Sequence, residues 1–373
     1  MPEDSPYSNV ASAWEVVCLS ANLFYSHKEL VLMFGKVAVF FLALLFILSS
    51  LSAMAQDDAL ATGLVGPRQI TYADDGTLFI VEAGSGGEIP ANGAFGEVTI
   101  GQTGRVTTVS PEGEQAVLLD GLISMDGGTR GAMAALVTET SIWLALGEGP
   151  AELPEEVGDA QVMAVVELDR ETLEPIQTID VFAAEEEQNP DGDIALSNPS
   201  DLVLSEDGTL FIADASANTV WTWTEADGLQ VFASWLTDGD NPVPTSVALG
   251  PDGNVYVGFL TGFPFPAGGS RIEVYSPEGE LVETLDGLTM VTDVLVTEDG
   301  TVYAVQLADS FGDQGFNPNS GSVVTVTADG IEPVAEGLNF PYGLAQAPDG
   351  SLVLSVNAAF GEPEGGMVIP LPM

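Results

Sequence analysis

Along the chain, short alternations of apolar and polar residues recur in pairs, each pair joined by an acidic turn ending in glycine. The stretches ITYADDGTLFIVEA, LVLSEDGTLFIADA, VALGPDGNVYVGFL, VLVTEDGTVYAVQL and LAQAPDGSLVLSVN are copies of one pattern, and ALVTETSIWLALG at 135–147 is a degenerate sixth. A period of two predicts strands with one buried face, and Asp-Gly supplies the positive φ that a tight hairpin turn requires. Each copy therefore reads as two antiparallel strands. A second hairpin follows each copy, as in GRVTTVSPEGEQAVLLDGL, RIEVYSPEGELVETLDGL and SVVTVTADGIEPVAEGL. Four short strands per unit of roughly fifty residues mark a β-propeller blade. The fold class is thus all-β, a six-bladed β-propeller with four antiparallel strands per blade.

The last unit supplies only GLAQAPD, SLVLSVN and GMVIPL before Met373. DALATGLVGP matches the fourth-strand ends VAEGLNFP and VLLDGLIS, so residues 58–64 are expected to form the outer strand of the last blade and cover its open edge. No composition shift marks a second domain, and 56–373 reads as one monomeric propeller. The tight turns gather on one face. The long connections gather on the other, among them GSGGEIPANGAFGEVTIGQTG, AAEEEQNPDGDIALSNPS, LTGFPFPAGGS and ADSFGDQGFNPNSGS. Long loops on a rigid scaffold are where propellers bind ligands.

Composition narrows the chemistry. Met33-Phe-Gly-Lys36 precedes the twelve-residue apolar run VAVFFLALLFIL and then SSLSAMAQ, which reads as a signal peptide over 33–55 cleaved after Ala55, the alternative being an uncleaved N-terminal anchor. Residues 1–32 carry Glu3, Asp4, Glu15 and Glu29, which suit a leader poorly, so they read as a mis-assigned extension with translation starting at Met33. The mature chain is expected outside the cytoplasm, secreted or periplasmic. Beyond residue 55 there is no Cys, His or Lys, and 52 carboxylates stand against five arginines. That excludes Ser-His-Asp and Cys-His catalysis, histidine-ligated zinc and lysine Schiff bases. It also excludes disulfides, which export would permit. The negative charge makes nucleic acid and anionic membranes poor partners.

The candidate binding residues come from rare types in telling places. Arg68 and Arg130 fall just before predicted inner strands, where a guanidinium either pairs with one of the many nearby acids or takes a ligand's carboxylate or phenolate at the channel mouth. Phe95, Phe263, Phe265, Phe311, Phe316, Phe340 and Phe360 are seven of the twelve phenylalanines beyond residue 55, and all lie in long-loop segments, where they either pin the loops to the blades or form an apolar rim at the channel mouth. In LTGFPFPAGGSR the two prolines predict an extended loop in which Phe263 and Phe265 share one face, leaning over the channel mouth toward Phe340 and Tyr342. The ligand set is therefore Arg68, Arg130, Phe263, Phe265, Phe340 and Tyr342, and the ligand a small aromatic or apolar molecule or a protein partner. Asp191 and Asp193 in NPDGDIALSNPSD, with Asp238 and Asp240 in TDGDNP, stand at alternate positions that turns can converge on Ca²⁺. Full EF-hand spacing is absent, and Asp and Asn also form ordinary turns.

GPRQITYADDGTLFIVEAGSGG, NPDGDIALSNPSDLVLSEDGTLFIADASANTV, VPTSVALGPDGNVYVGFLTGFPFPAGGSRIEVY and EGLNFPYGLAQAPDGSLVLSV resemble the ScyD/ScyE family over essentially the whole chain beyond residue 55. The more specific match is VGFLTGFPFPAGGSR following VPTSVALGPDG. The resemblance implies an exported propeller of the NHL-like and lactonase-like group, associated with biosynthesis of an aromatic pigment. Lactonase-like relatives hold a divalent cation between a Glu, two Asn and an Asp at the inner-strand mouths. The matching positions here read Arg68, Gly131, Asp201, Thr245, Asp293 and Tyr342, so that ring is not reproduced. The expected role is a binding scaffold with no assigned catalytic residue; the alternative that the resemblance implies is a divalent-cation-dependent lactonase-like hydrolase.

Overall fold

The computed structural model describes residues 58–373 except 126, 128–129, 237–240, 359–363 and 372–373. The leader over 33–55, the 1–32 extension, Asp238, Asp240 and Phe360 lie outside the described residues.

Strand β1 (Ala61–Leu64) is followed by β2 (Pro67–Tyr72), β3 (Leu78–Glu82), β4 (Ile89–Gly93), β5 (Gly96–Val109) and β6 (Gln115–Met125), of which β2 to β6 form a five-stranded sheet. A four-stranded sheet holds β7 (Ala132–Val137), β8 (Ser141–Leu146), β9 (Ala164–Asp169) and β10 (Pro175–Asp180), and helix α1 (Val181–Gln188) comes next. The following sheets are β11 (Pro199–Leu204) to β14 (Gly228–Ser234), through β12 (Leu210–Asp214) and β13 (Thr219–Thr224), and then β15 (Pro244–Leu249), β16 (Val255–Phe259), β17 (Ser270–Tyr275) and β18 (Leu281–Leu288). Strands β19 (Val291–Val296), β20 (Val302–Gln306), β23 (Gly321–Thr327) and β24 (Gly330–Leu338) make another sheet, interrupted by the small hairpin β21 (Phe311–Gly312) with β22 (Gly315–Phe316). The last sheet has the order β1, β27 (Gly366–Pro370), β26 (Leu352–Val356), β25 (Leu344–Gln346).

The first strands of successive sheets are neighbours: β2 with β7, β7 with β11, β11 with β15, β15 with β19, β19 with β25, and β25 with β2. This is a β-propeller arrangement. As expected from the sequence, the first strand completes the last sheet, with Ala61 opposite Val368 and Leu64 opposite Gly366. Leu64 is fully buried with Ile70, Leu78, Ile80, Val353 and Val368, so the closing strand brings its own core contact.

The repeated turns use a more specific device than the sequence suggested. In all five, glycine alone takes the left-handed conformation, at φ of 83° (Gly76), 88° (Gly208), 81° (Gly253), 84° (Gly300) and 87° (Gly350). The preceding aspartate acts through its side chain. Asp75, Asp207, Asp252, Asp299 and Asp349 each accept the N–H two residues on, at 2.9, 3.2, 3.1, 3.1 and 3.0 Å. Hydrogen bonds hold several of these carboxyls below the ordinary range: chiefly the Thr77 N–H for Asp75, and the hydroxyls of Ser205, Thr297 and Ser351 for Asp207, Asp299 and Asp349. The degenerate copy has no such glycine, and there the Thr138 hydroxyl accepts the Ser141 N–H at 2.9 Å.

Candidate functional site

The inner strands share one register. Pro67-Arg68-Gln69, Pro199-Ser200-Asp201, Pro244-Thr245-Ser246 and Val291-Thr292-Asp293 each open a strand, and the pairing slips by one residue within or just after each triplet. Such bulges leave one backbone group unpaired and re-aim the side chains beside it. The second residue repairs the damage across sheets: Ser200 donates to Pro244 O at 3.3 Å, Thr245 to Val291 O at 2.7 Å and Thr292 to Tyr342 O at 2.9 Å. The third residue does the converse. Asp201 accepts Val247 N–H at 3.0 Å, Ser246 accepts Val294 N–H at 3.0 Å and Asp293 accepts Leu344 N–H at 2.7 Å. The sequence comparison set Arg68, Thr245 and Tyr342 beside Asp201 and Asp293, but the register separates them. Gln69, Asp201, Ser246 and Asp293 form the true polar row, and the aligned triplets PRQ, PSD, PTS and VTD carried that signal.

The Ser246 Oγ lies 2.9 Å from an oxygen of Asp201 and 2.9 Å from an oxygen of Asp293. A hydroxyl has one hydrogen, so it donates to one carboxylate only. The second contact is a hydrogen bond when the other carboxyl carries a proton and donates it to Ser246. Burial first, and the Asp293 charge second, hold the Asp201 carboxyl above the ordinary range, and burial raises Asp293 as well. The two acids thus share a proton through the serine.

A divalent cation does not fit this row. The carboxylate oxygens that would face it already take backbone N–H groups and the Ser246 hydroxyl, whereas Ca²⁺ needs six to eight oxygens, as a general rule. Beside the row, Arg68 is buried, donates to Ala358 O and stacks 5.0 Å over the Tyr342 ring. Burial pushes the guanidinium down from its usual value and the Tyr342 phenol up to about 12. Arg68 and Tyr342 were expected at the channel mouth facing a ligand; both are instead interior partners of each other, because an arginine taken out of water needs an aromatic face and a carbonyl. Arg130 is half-buried and bridges to Glu148 at 3.0 Å, in a recess of about 160 Å³ that Phe95 and Glu97 also line.

The LTGFPFPAGGSR loop is a tight turn and not the extended segment expected. Phe265 N–H donates to Gly262 O at 2.9 Å, the Phe263–Pro264 bond is cis, and Phe265 has φ 56°. The two rings still meet, edge to face at 6.2 Å. Phe265 packs on Phe311 at 5.1 Å and Phe316 at 5.0 Å, and these rings lie 4.8 Å apart. Beneath them lie Met290, Leu307, Ala308 and Phe340. Phe340 is therefore the expected neighbour, but Tyr342 belongs to a separate cluster with Met133 and Ala134. The left-handed φ of 44° at Phe340 reverses the chain there, so residues two apart do not share a face. Phe263 is 77% exposed at the top of the stack.

Of the acidic candidates, Asp191 is buried and accepts Asp193 N–H at 2.9 Å and the Asn218 amide at 3.0 Å. Asp193 is exposed, and its carboxylate accepts the neighbouring Ile194 N–H at 2.8 Å. Among the described residues no group of three or more Asp, Glu, His or Cys side chains is arranged to hold a metal ion.

No family model matches the chain, and no curated protein matches it in sequence. Solved structures do share its fold. The calcium-binding protein regucalcin from Agrobacterium tumefaciens superposes with a TM-score of 0.52 at 12% identity, over 85% of this chain and 93% of that one. A gluconolactonase from Xanthomonas campestris gives 0.51 at 14% identity, over 84% and 89%. At such identities the likeness establishes a β-propeller as the fold, and nothing of the chemistry.

Proposed function

We propose that the chain is an exported six-bladed propeller of the ScyD/ScyE kind that binds a flat aromatic or apolar small molecule on its long-loop face. In this reading the six large sheets are six blades, and cleavage after Ala55 releases the disc outside the cytoplasm. One observation carries the binding site: Phe263 is an exposed ring on a rigid stack of Phe265, Phe311 and Phe316. An isolated exposed apolar side chain is ordinary, but rings held edge to face above a buried base form a preordered contact surface that loses little entropy on binding. Arg68 and Tyr342 leave the ligand set, and Phe265 and Phe340 act as its support. The hydrolase alternative is not favoured by the inner-strand donors.

The neutral fluorophore N-phenyl-1-naphthylamine is a suitable probe. Phe263→Ala should melt as the parent does and bind the probe at least tenfold more weakly. Equal binding by parent and variant would remove the site, and probe binding by neither would redirect the reading to a protein partner.

A further inference from the structure

The run Ala184-Glu185-Glu186-Glu187 closes helix α1, and its three acids do not share a fate. Glu186 and Glu187 are exposed, whereas Glu185 is wholly shielded from solvent. Among the described residues, neither Glu185 carboxylate oxygen has a hydrogen-bond partner. Two more buried acids, Asp214 and Asp191, act on it by charge, and with burial as the larger cause they push its carboxyl up to about 8.

Those two acids differ in their commitments. Asp214 is saturated: Asn198 N–H at 2.6 Å and Ala217 N–H at 3.3 Å reach one oxygen, Ser197 Oγ at 2.6 Å and the Trp221 indole at 3.3 Å the other. Asp191 has one donor on each oxygen and keeps lone pairs to spare. A carboxylate with no donor, shut away beside other negative charge, is unfavourable as an anion unless a proton or a cation balances it. No arginine does so. Arg68 stacks on Tyr342, and Arg105, Arg130, Arg170 and Arg271 pair with Glu82, Glu148, Asp75 and Glu273.

We propose that Glu185 and Asp191 are the anionic ligands of a buried Ca²⁺ ion. Two carboxylates fall short of a cage built from side chains alone, but calcium takes carbonyl and amide oxygens readily and tolerates irregular geometry. Asn189 caps α1 in the left-handed conformation, φ 40°, so the chain folds back within six residues from Glu185 to Asp191. The site differs from the Asp191 and Asp193 pairing read from the sequence: Asp193 faces solvent, and Glu185 takes its place. It is also independent of the aromatic surface.

The test uses the full chain freed of metal by a chelator. Ca²⁺ is titrated by calorimetry, and Tb³⁺ serves as a luminescent probe excited through Trp221, whose indole bonds to Asp214. The expected result is one saturable site, Tb³⁺ emission displaced by Ca²⁺, and a melting temperature that rises with Ca²⁺. Glu185→Gln should bind at least tenfold more weakly and lose the thermal shift, Asp191→Asn should weaken binding likewise, and Asp193→Asn should retain both signals. In chelator above about pH 8, where the parent must hold Glu185 as a bare anion, Glu185→Gln should melt at or above the parent, and this shows that the variant folds. A parent with no calcium-dependent shift overturns the proposal. So does Glu185→Gln with parental binding, which would assign the ion to the acidic surface.

Discussion

The ring of Phe263 meets that of Phe311 edge on, their centroids 6.0 Å apart. One ring stands on the connection after β16 and the other on the β21–β22 hairpin, so the contact joins loops of neighbouring sheets. The burden within the stack is unequal. Phe265→Ala should cost about 1.5–3 kcal/mol, since its half-buried ring rests on Phe311 and Phe316, while Phe263→Ala should cost less than about 0.5 kcal/mol. Chemical denaturation of both variants checks the difference, and equal losses would contradict it.

The Asp201, Ser246 and Asp293 bridge predicts how stability depends on pH. Folded values above the ordinary carboxylate value of about 4 mean that the native state holds protons that the unfolded chain has released, so this contribution is complete below about pH 4 and declines as pH rises through the folded values. Asp214, pushed by burial to about 6, acts in the same direction. The turn aspartates have lowered values and act oppositely, but their titration is over by about pH 5. The melting temperature should therefore fall between pH 5 and pH 8.5. Asp201→Asn, whose amide supplies N–H hydrogens in place of the shared proton, should flatten that slope; an unchanged slope would place the proton elsewhere.

Gly343 should tolerate no side chain. A Cβ there would lie 2.7 Å from Arg68 O and 2.7 Å from the Gln69 amide oxygen, because Gln69 leans past it to reach Thr292 O at 3.3 Å. Gly343→Ala should lower stability by about 1–3 kcal/mol through this overpacking. Scanning calorimetry would show it, and a neutral substitution would mean that Gln69 swings aside freely.

Much of the architecture is written in the repeats, because alternation and turn chemistry are local. The five acidic glycine turns, their strands and the pairing of β1 with β27 all follow from such patterns. What escaped depends on distant partners. The stretch around Phe95 was read as a long connection without strands, yet β4 pairs with an extension of β5. The AAEEEQ run was read as part of a long connection, yet it forms α1, capped by Asp180 accepting Ala183 N–H at 2.9 Å. Ser246 drew no notice, since a serine in a strand signals nothing until two carboxylates from other sheets close on its hydroxyl.

The pairing of β1 with β27 also gives the ring a seam. Every other large sheet is made from one unbroken stretch of chain and can assemble from neighbours in sequence, whereas this one joins Ala61 to Val368. Closure entropy grows only logarithmically with the span, so the long reach adds little to the loss already borne by a shorter loop. An order of events is expected from it: the seam should pair after the other sheets have formed and, under load, part first. A circular permutant that links the two ends and reopens the chain in the Asp74–Gly76 turn would turn the seam into an ordinary hairpin and move the weak line between β2 and β3.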